Sequence, residues 1–189
     1  MIERTLDLGG NLVRTFGGVL SGSCVLADDA YRYEVVRLEP GEARAFPELA
    51  TGAGWLLEAA GGVRLSHPAG SADWGVGEAV LFEGAGIEVG AGAGPAVLLI
   101  AGTASGGASG APSLAVRGRA GLKRVVKPWG EEVWINGRHP TFAFKRIVLR
   151  AGQRTSLQFH AFKRETNLLL AGSARLHFNE VAGGHDGPY

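Results

Sequence analysis

Two stretches, GEARAFPELATGAGWLLEAAG at Gly41–Gly61 and GQRTSLQFHAFKRETNLLLAG at Gly152–Gly172, are each bounded by glycines and stand 111 residues apart. At that offset Val36 meets Ile147, Leu38 meets Leu149 and Leu57 meets Leu168. Arg64-Leu65 likewise falls on Arg175-Leu176. Apolar positions and turn glycines in register at one offset point to a duplicated β-unit.

Outward from these anchors, short apolar alternation recurs at Tyr33–Leu38, Gly54–Glu58, Val63–Leu65, Ala79–Phe82, Ile87–Val89 and Ala96–Ile100. Glycine- or proline-bearing turns separate the runs, as at Glu39-Pro40-Gly41 and Gly61-Gly62. No long window keeps the spacing of an amphipathic helix. The chain has 31 glycines in 189 residues, about twice the usual share and without a Gly-X-Y period. Many tight turns between short strands predict an all-β protein.

The segment Thr103–Ser113 is rich in Gly, Ser and Ala and uncharged, and reads as a flexible linker. A basic, more aromatic stretch follows it. The expected organisation is a first β-domain at 1–102, a linker at 103–120 and a second domain at 121–189. The first copy continues through Gly77–Phe82 and Ala96–Ile100, whose counterparts would begin at Pro188, one residue before Tyr189, and run past it. The second copy is therefore expected to hold only its first half. Open strand edges of that kind call for a partner, and a homodimer is the expectation.

Composition removes several classes. Nineteen Lys and Arg against eighteen Asp and Glu leave a net charge of +1. That balance gives no case for nucleic acid or a membrane surface as partner. A single cysteine, Cys24, excludes an intrachain disulfide and a multi-cysteine zinc site. The N-terminus lacks the apolar core of a signal peptide, and no apolar run is long enough to span a bilayer. A soluble, cytoplasmic protein is expected. Gly84–Gly94 lacks both the strand-to-helix context and the lysine of a phosphate loop.

Chemistry concentrates in Gly152–Gly172. Gln158 and His160 are two residues apart, so on a strand they share a face. Glu165 opens the next apolar strand, whose alternation can aim it at the same face. An amide oxygen, an imidazole nitrogen and a carboxylate suit a divalent ion, although a lone strand histidine is more often structural.

The pattern around these residues resembles the cupin superfamily. Pro128-Trp129-Gly130, Lys145-Arg146-Ile147, Ser156-Leu157-Gln158-Phe159-His160 and Lys163-Arg164-Glu165-Thr166 carry the likeness. It is nearest to phosphomannose-isomerase-like cupins and covers about residues 123–178. The resemblance implies tandem double-stranded β-helix barrels, the second incomplete. It also implies Gln158, His160 and Glu165 as ligands of Zn, Mn or Fe. A further family histidine would lie past Tyr189, so the metal can be absent from this chain. Phe162 stands where a second histidine would make a His-x-His pair, which disfavours a dioxygenase. In the first copy the matching positions are Pro47, Leu49 and Gly54, and none ligates through its side chain.

The implied activity is aldose–ketose isomerisation of a sugar phosphate, as in mannose-6-phosphate isomerase, within glycan or nucleotide-sugar metabolism. The alternative is a non-catalytic module that binds a sugar or sugar nucleotide. Lys145, Arg154 and Lys163 are candidate anion contacts, and Trp129 is a candidate for lining the substrate mouth, although a Pro-Trp-Gly turn more often packs its aromatic as a lid over a barrel end. Lys145 and Arg146 alternate on a strand, so one faces in and the other out. His67 and His139, each before a proline, read as turn residues; His177 reads as solvent-facing.

Overall fold

The computed structural model describes residues 3–8, 11–16, 24–27, 31–104, 111–137, 142–156 and 167–174, the first three segments through their backbone. The chain divides into two compact units, one of Met1–Val19 with Arg154–Tyr189, the other Leu20–Gln153. In the first unit β1 (Glu3–Leu8) and β2 (Asn11–Phe16) form an antiparallel hairpin from Glu3↔Phe16 to Leu8↔Asn11. Among the described residues there is no α-helix, only one 3₁₀ turn at Arg119–Gly121. No helix there is long and apolar enough to cross a membrane.

The second unit begins with β3 (Cys24–Ala27), β4 (Arg32–Leu38), β5 (Ala43–Phe46), β6 (Thr51–Ala59) and β7 (Val63–His67). It continues with β8 (Gly70–Asp73), β9 (Ala79–Glu83), β10 (Ile87–Ala91), β11 (Ala96–Thr103) and β12 (Ser113–Arg117). Two antiparallel sheets result, ordered β12-β9-β6-β11-β4-β3 and β5-β10-β7-β8. Within them the eight strands β4 to β11 stand as β4-β11-β6-β9 against β5-β10-β7-β8. That interleaving is the jelly roll, the double-stranded β-helix that cupins share. The expected all-β class and each of the six alternating runs are found in it.

Alternation sets the core. Val36 and Leu38 on β4, Val63 and Leu65 on β7, Val80 and Phe82 on β9, and Leu98 and Ile100 on β11 point inward. Trp74 and Phe46 join them. The run Ala96–Thr103 is buried at every position, on both faces of the sheet. Its outer neighbour Tyr33 meets Phe144 edge-on, with ring centroids 5.8 Å apart.

The linker expectation is corrected in part. Thr103 ends β11, and Ser113–Arg117 is β12, paired with β9 from Ser113↔Glu83 to Arg117↔Ala79. Leu114 and Val116 share one face of β12 and pack on the core, which fixes this strand to the barrel despite the small residues before it.

A further antiparallel sheet belongs to the same unit: β13 (Lys123–Lys127), β14 (Gly130–Trp134) and β15 (Lys145–Leu149), in that order. Pro128 and Trp129 turn β13 into β14. At Gly130 φ is 151°, and a Cβ would collide with the Val148 carbonyl oxygen, so only glycine fits. Asn136 ties the β14–β15 connection, donating to the Phe142 carbonyl and accepting from the Phe144 N–H, each at 2.9 Å.

The internal repeat has a structural counterpart. After β4 the Glu42 N–H donates to the Glu39 carbonyl at 3.0 Å, around Gly41 at φ 75°. After β15 the Gln153 N–H donates to the Arg150 carbonyl at 3.0 Å, around Gly152 at φ 73°. Both turns need the left-handed glycine at the third position. The two turns that the 111-residue offset aligns thus have the same form.

Candidate functional site

The first barrel offers no seat for a ligand at the positions the repeat assigns to metal ligands. Leu49 is buried in the core, and Pro47 is exposed. A Cβ on Gly54 would lie 2.8 Å from Trp74 and 2.9 Å from Val80, so large side chains already fill the space there. Among the described residues no group of three or more His, Cys, Asp or Glu could hold a metal. His67 is spent structurally: its Nε2 bonds the Gly84 carbonyl at 2.9 Å and its Nδ1 accepts from the Ala69 N–H at 3.3 Å.

Ionic groups close that barrel at one station. Glu34 shares the inward face of β4 with Val36 and Leu38 and is fully buried. Its carboxylate accepts from Arg32 Nε and, at 2.5 Å, from an Arg44 terminal nitrogen. Glu48 reaches the same Arg32 Nε at 2.9 Å. Arg44 also lies over the Phe46 ring, 5.4 Å from its centroid. A buried carboxylate needs such partners, because an uncompensated charge is costly away from water. Two arginines and two glutamates balance, so the cluster carries no net charge.

At the matching station of the second copy the sign is inverted. Lys145 stands where the offset places Glu34. It is half-buried, and the register sets it beside Trp134, which is flanked on its other side by Lys123. Lys145 Nζ lies 3.9 Å from the Trp134 ring centroid and Lys123 Nζ 4.9 Å. Glu132 approaches Lys145 at 3.5 Å, a long contact. Trp134 Nε1 is buried and has no hydrogen-bond partner among the described residues. Two ammonium groups around one indole, with one carboxylate near, can take an anion, and cation–π contact holds the lysines in place.

Of the residues expected to form a site, the structure thus positions Lys145, with Arg146 exposed beside it. Trp129 is not brought to Lys145. It sits in the β13–β14 turn, half-buried, its carbonyl accepting from the Arg150 N–H at 2.9 Å. Lys145 pairs at the far end of β14, roughly 15 Å along the strand at about 3.3 Å per residue. The tryptophan beside Lys145 is Trp134. Arg154 is exposed and begins the chain segment of the other unit. Gln158, His160, Lys163 and Glu165 lie outside the described residues, as do His139 and His177.

No protein-family model matches the chain, and no curated protein matches it. Solved structures do. Protein Ylba from E. coli is 12% identical, with a TM-score of 0.49, over 68% of this chain and 57% of that one. The chain therefore spans little more than half the length of that structure. The DMSP lyase DddQ from Ruegeria pomeroyi DSS-3 is 19% identical, with a TM-score of 0.35, over 49% of this chain and 50% of that one. Protein NMB1881 from Neisseria meningitidis is 10% identical, with a TM-score of 0.33, over 46% and 86% respectively. The fold assignment rests on strand order alone. That order is the jelly roll, the double-stranded β-helix found in cupins as well as in capsid and lectin domains.

Proposed function

We propose that this chain binds a phosphorylated sugar on the face of β14 and β15 that carries Trp134 and Lys145. The observation that supports the reading is the charge inversion at one repeat station. Glu34 is sealed by Arg32 and Arg44, whereas Lys145 and Lys123 flank Trp134 and, among the described residues, Lys145 pairs with Glu132 at 3.5 Å. A phosphate would replace that weak contact with charge-assisted hydrogen bonds. Fold does not choose a reaction, so the substrate class is argued from these side chains.

The resemblance extends the proposal to isomerisation. Gln158, His160 and Glu165 offer a donor set of amide oxygen, imidazole nitrogen and carboxylate that fits Zn, Mn or Fe. A metal held there would supply Lewis acidity for a carbonyl and its neighbouring hydroxyl in an aldose–ketose exchange. Lys145 would hold the phosphate and orient the sugar. Turnover of mannose 6-phosphate or fructose 6-phosphate separates this enzyme from a binding module. Elemental analysis with His160→Ala as control reports whether the trio holds metal.

Titration calorimetry with mannose 6-phosphate against unphosphorylated mannose tests the binding step. Lys145→Ala is expected to weaken mannose 6-phosphate about tenfold or more, the scale of one charged hydrogen bond at about 1.5–3 kcal/mol. Equal affinity for both sugars, or no change in Lys145→Ala, overturns the proposal.

A further inference from the structure

On the face of the β13-β14-β15 sheet that carries Trp134, the strand register arranges side chains in rows. Lys123, Trp134 and Lys145 form one row, and Val125, Glu132 and Ile147 form the next. The rows stand two residues apart along each strand, roughly 6.6 Å. The second row thus sets one carboxylate between two apolar side chains. Glu131, its neighbour in sequence, lies on the opposite face, where Arg124 donates to it from Nε at 3.2 Å and from a terminal nitrogen at 2.5 Å. Glu132 has no such clamp. Its one cation among the described residues is Lys145 Nζ at 3.5 Å, although its side chain is only 17% exposed.

We infer that Glu132 is the specificity-determining residue of the anion site, its carboxylate accepting hydrogen bonds from hydroxyls of the ligand whose phosphate lies on Lys145 and Lys123. The inference rests on the phosphate-binding reading of this face. A phosphate that takes Lys145 leaves Glu132 largely shielded from water and short of donors, which is costly for an ionised group. A plain phosphate ester adds negative charge beside it and supplies no donor. A hydroxylated ligand supplies both ends: its phosphate meets the lysine row, and its O–H groups meet the carboxylate one row on. Two vicinal hydroxyls match the two carboxylate oxygens, each bond strengthened by the charge. Val125 and Ile147 on either side offer apolar surface to the C–H groups of the same ring, Ile147 being 48% exposed. The ligand class is therefore a phosphorylated sugar or polyol with a free diol, and phosphate alone is discriminated against.

Titration calorimetry of the full chain with mannose 6-phosphate and with ethyl phosphate, a monoester of the same charge without hydroxyls, reads this as a ratio of affinities. Wild type should prefer mannose 6-phosphate. In Glu132→Gln that preference should fall about fivefold to tenfold, the difference between hydrogen bonds to a charged and to a neutral acceptor. Ethyl phosphate should bind Glu132→Gln as well as wild type or better, because a nearby negative charge is gone, and its binding shows that the variant is folded. Glu131→Gln makes the same charge change on the opposite face and should leave the preference unmoved. A preference that is absent in wild type, unchanged in Glu132→Gln or lowered equally by Glu131→Gln overturns the inference and leaves the phosphate reading standing. Loss of both esters in Glu132→Gln overturns it too, since the residue would then support Lys145 and read no hydroxyl. Wild type that binds neither ester removes the phosphate reading and this inference with it.

Discussion

Glu34→Ala is expected to destabilise the chain by about 3 kcal/mol, the low end of the loss on removing one partner of a buried charge pair. Glu34 is the fully buried member, and its side chain is 1% exposed against about a third for each arginine. Deleting it leaves Arg32 to Glu48 alone and Arg44 to the Phe46 ring. Both guanidiniums can still reach water, which limits the penalty. Glu34→Gln should cost less, because the amide oxygen can keep one of the two arginine bonds. The control is Arg32→Met with Glu34→Leu and Arg44→Met, which removes the three charges centred on Glu34, leaves only the part-exposed Glu48 to solvent, and should recover most of the loss. Urea denaturation reads all three. A change below about 0.5 kcal/mol in Glu34→Ala would class these pairs with ordinary surface ion pairs.

The station occupied by Glu34 was readable before any fold was known, since residues 34, 36 and 38 share one face of an alternating strand. Its partners were not. Arg44 reaches it from β5, a short strand whose ARAF sequence has too little alternation to declare itself. The same limit applies across the molecule. Runs with clear period two, such as Val63–Leu65, were legible, although β7 runs on to His67, which is a buried strand residue and not the turn residue its place before Pro68 suggested. β8, reading GSAD, and β12, behind a Gly/Ser/Ala stretch, were not, because pairing rather than composition holds them. β6 begins at Thr51, earlier than its apolar residues announce, because Gly52 and Gly54 belong to the strand. At the candidate anion site Lys145 was visible as a cation on an alternating strand. Trp134 was not, because its nearness comes from the cross-strand register Trp134↔Lys145. Local sequence names the turn at Trp129; only the hairpin register shows which tryptophan the lysine meets.

Phe82→Ala should cost about 3–5 kcal/mol, the usual loss when a buried phenylalanine is truncated. Phe82 is 1% exposed and pairs directly with Gly52 across β6 and β9. A Cβ on Gly52 would collide with Phe82 Cζ and lie 2.6 Å from the Ala101 carbonyl oxygen. Ring and glycine thus fit as a pair, the aromatic covering the backbone that glycine leaves bare. Gly52→Ala alone should cost about 1–3 kcal/mol through overpacking. In Phe82→Ala the ring clash disappears while the carbonyl contact remains. The double variant should therefore be more stable than the sum of the singles predicts, by about 1 kcal/mol. Strict additivity would mean that the Ala101 carbonyl alone demands glycine here. The cavity left in Phe82→Ala supplies a second readout. A small apolar molecule such as benzene should raise the melting temperature of that variant and leave wild type unmoved, because an apolar void stays dry and accepts such guests. A response in wild type would reveal an opening in a barrel interior that the packing of Phe82, Trp74 and Leu49 closes, and would return the first copy to consideration as a binding site.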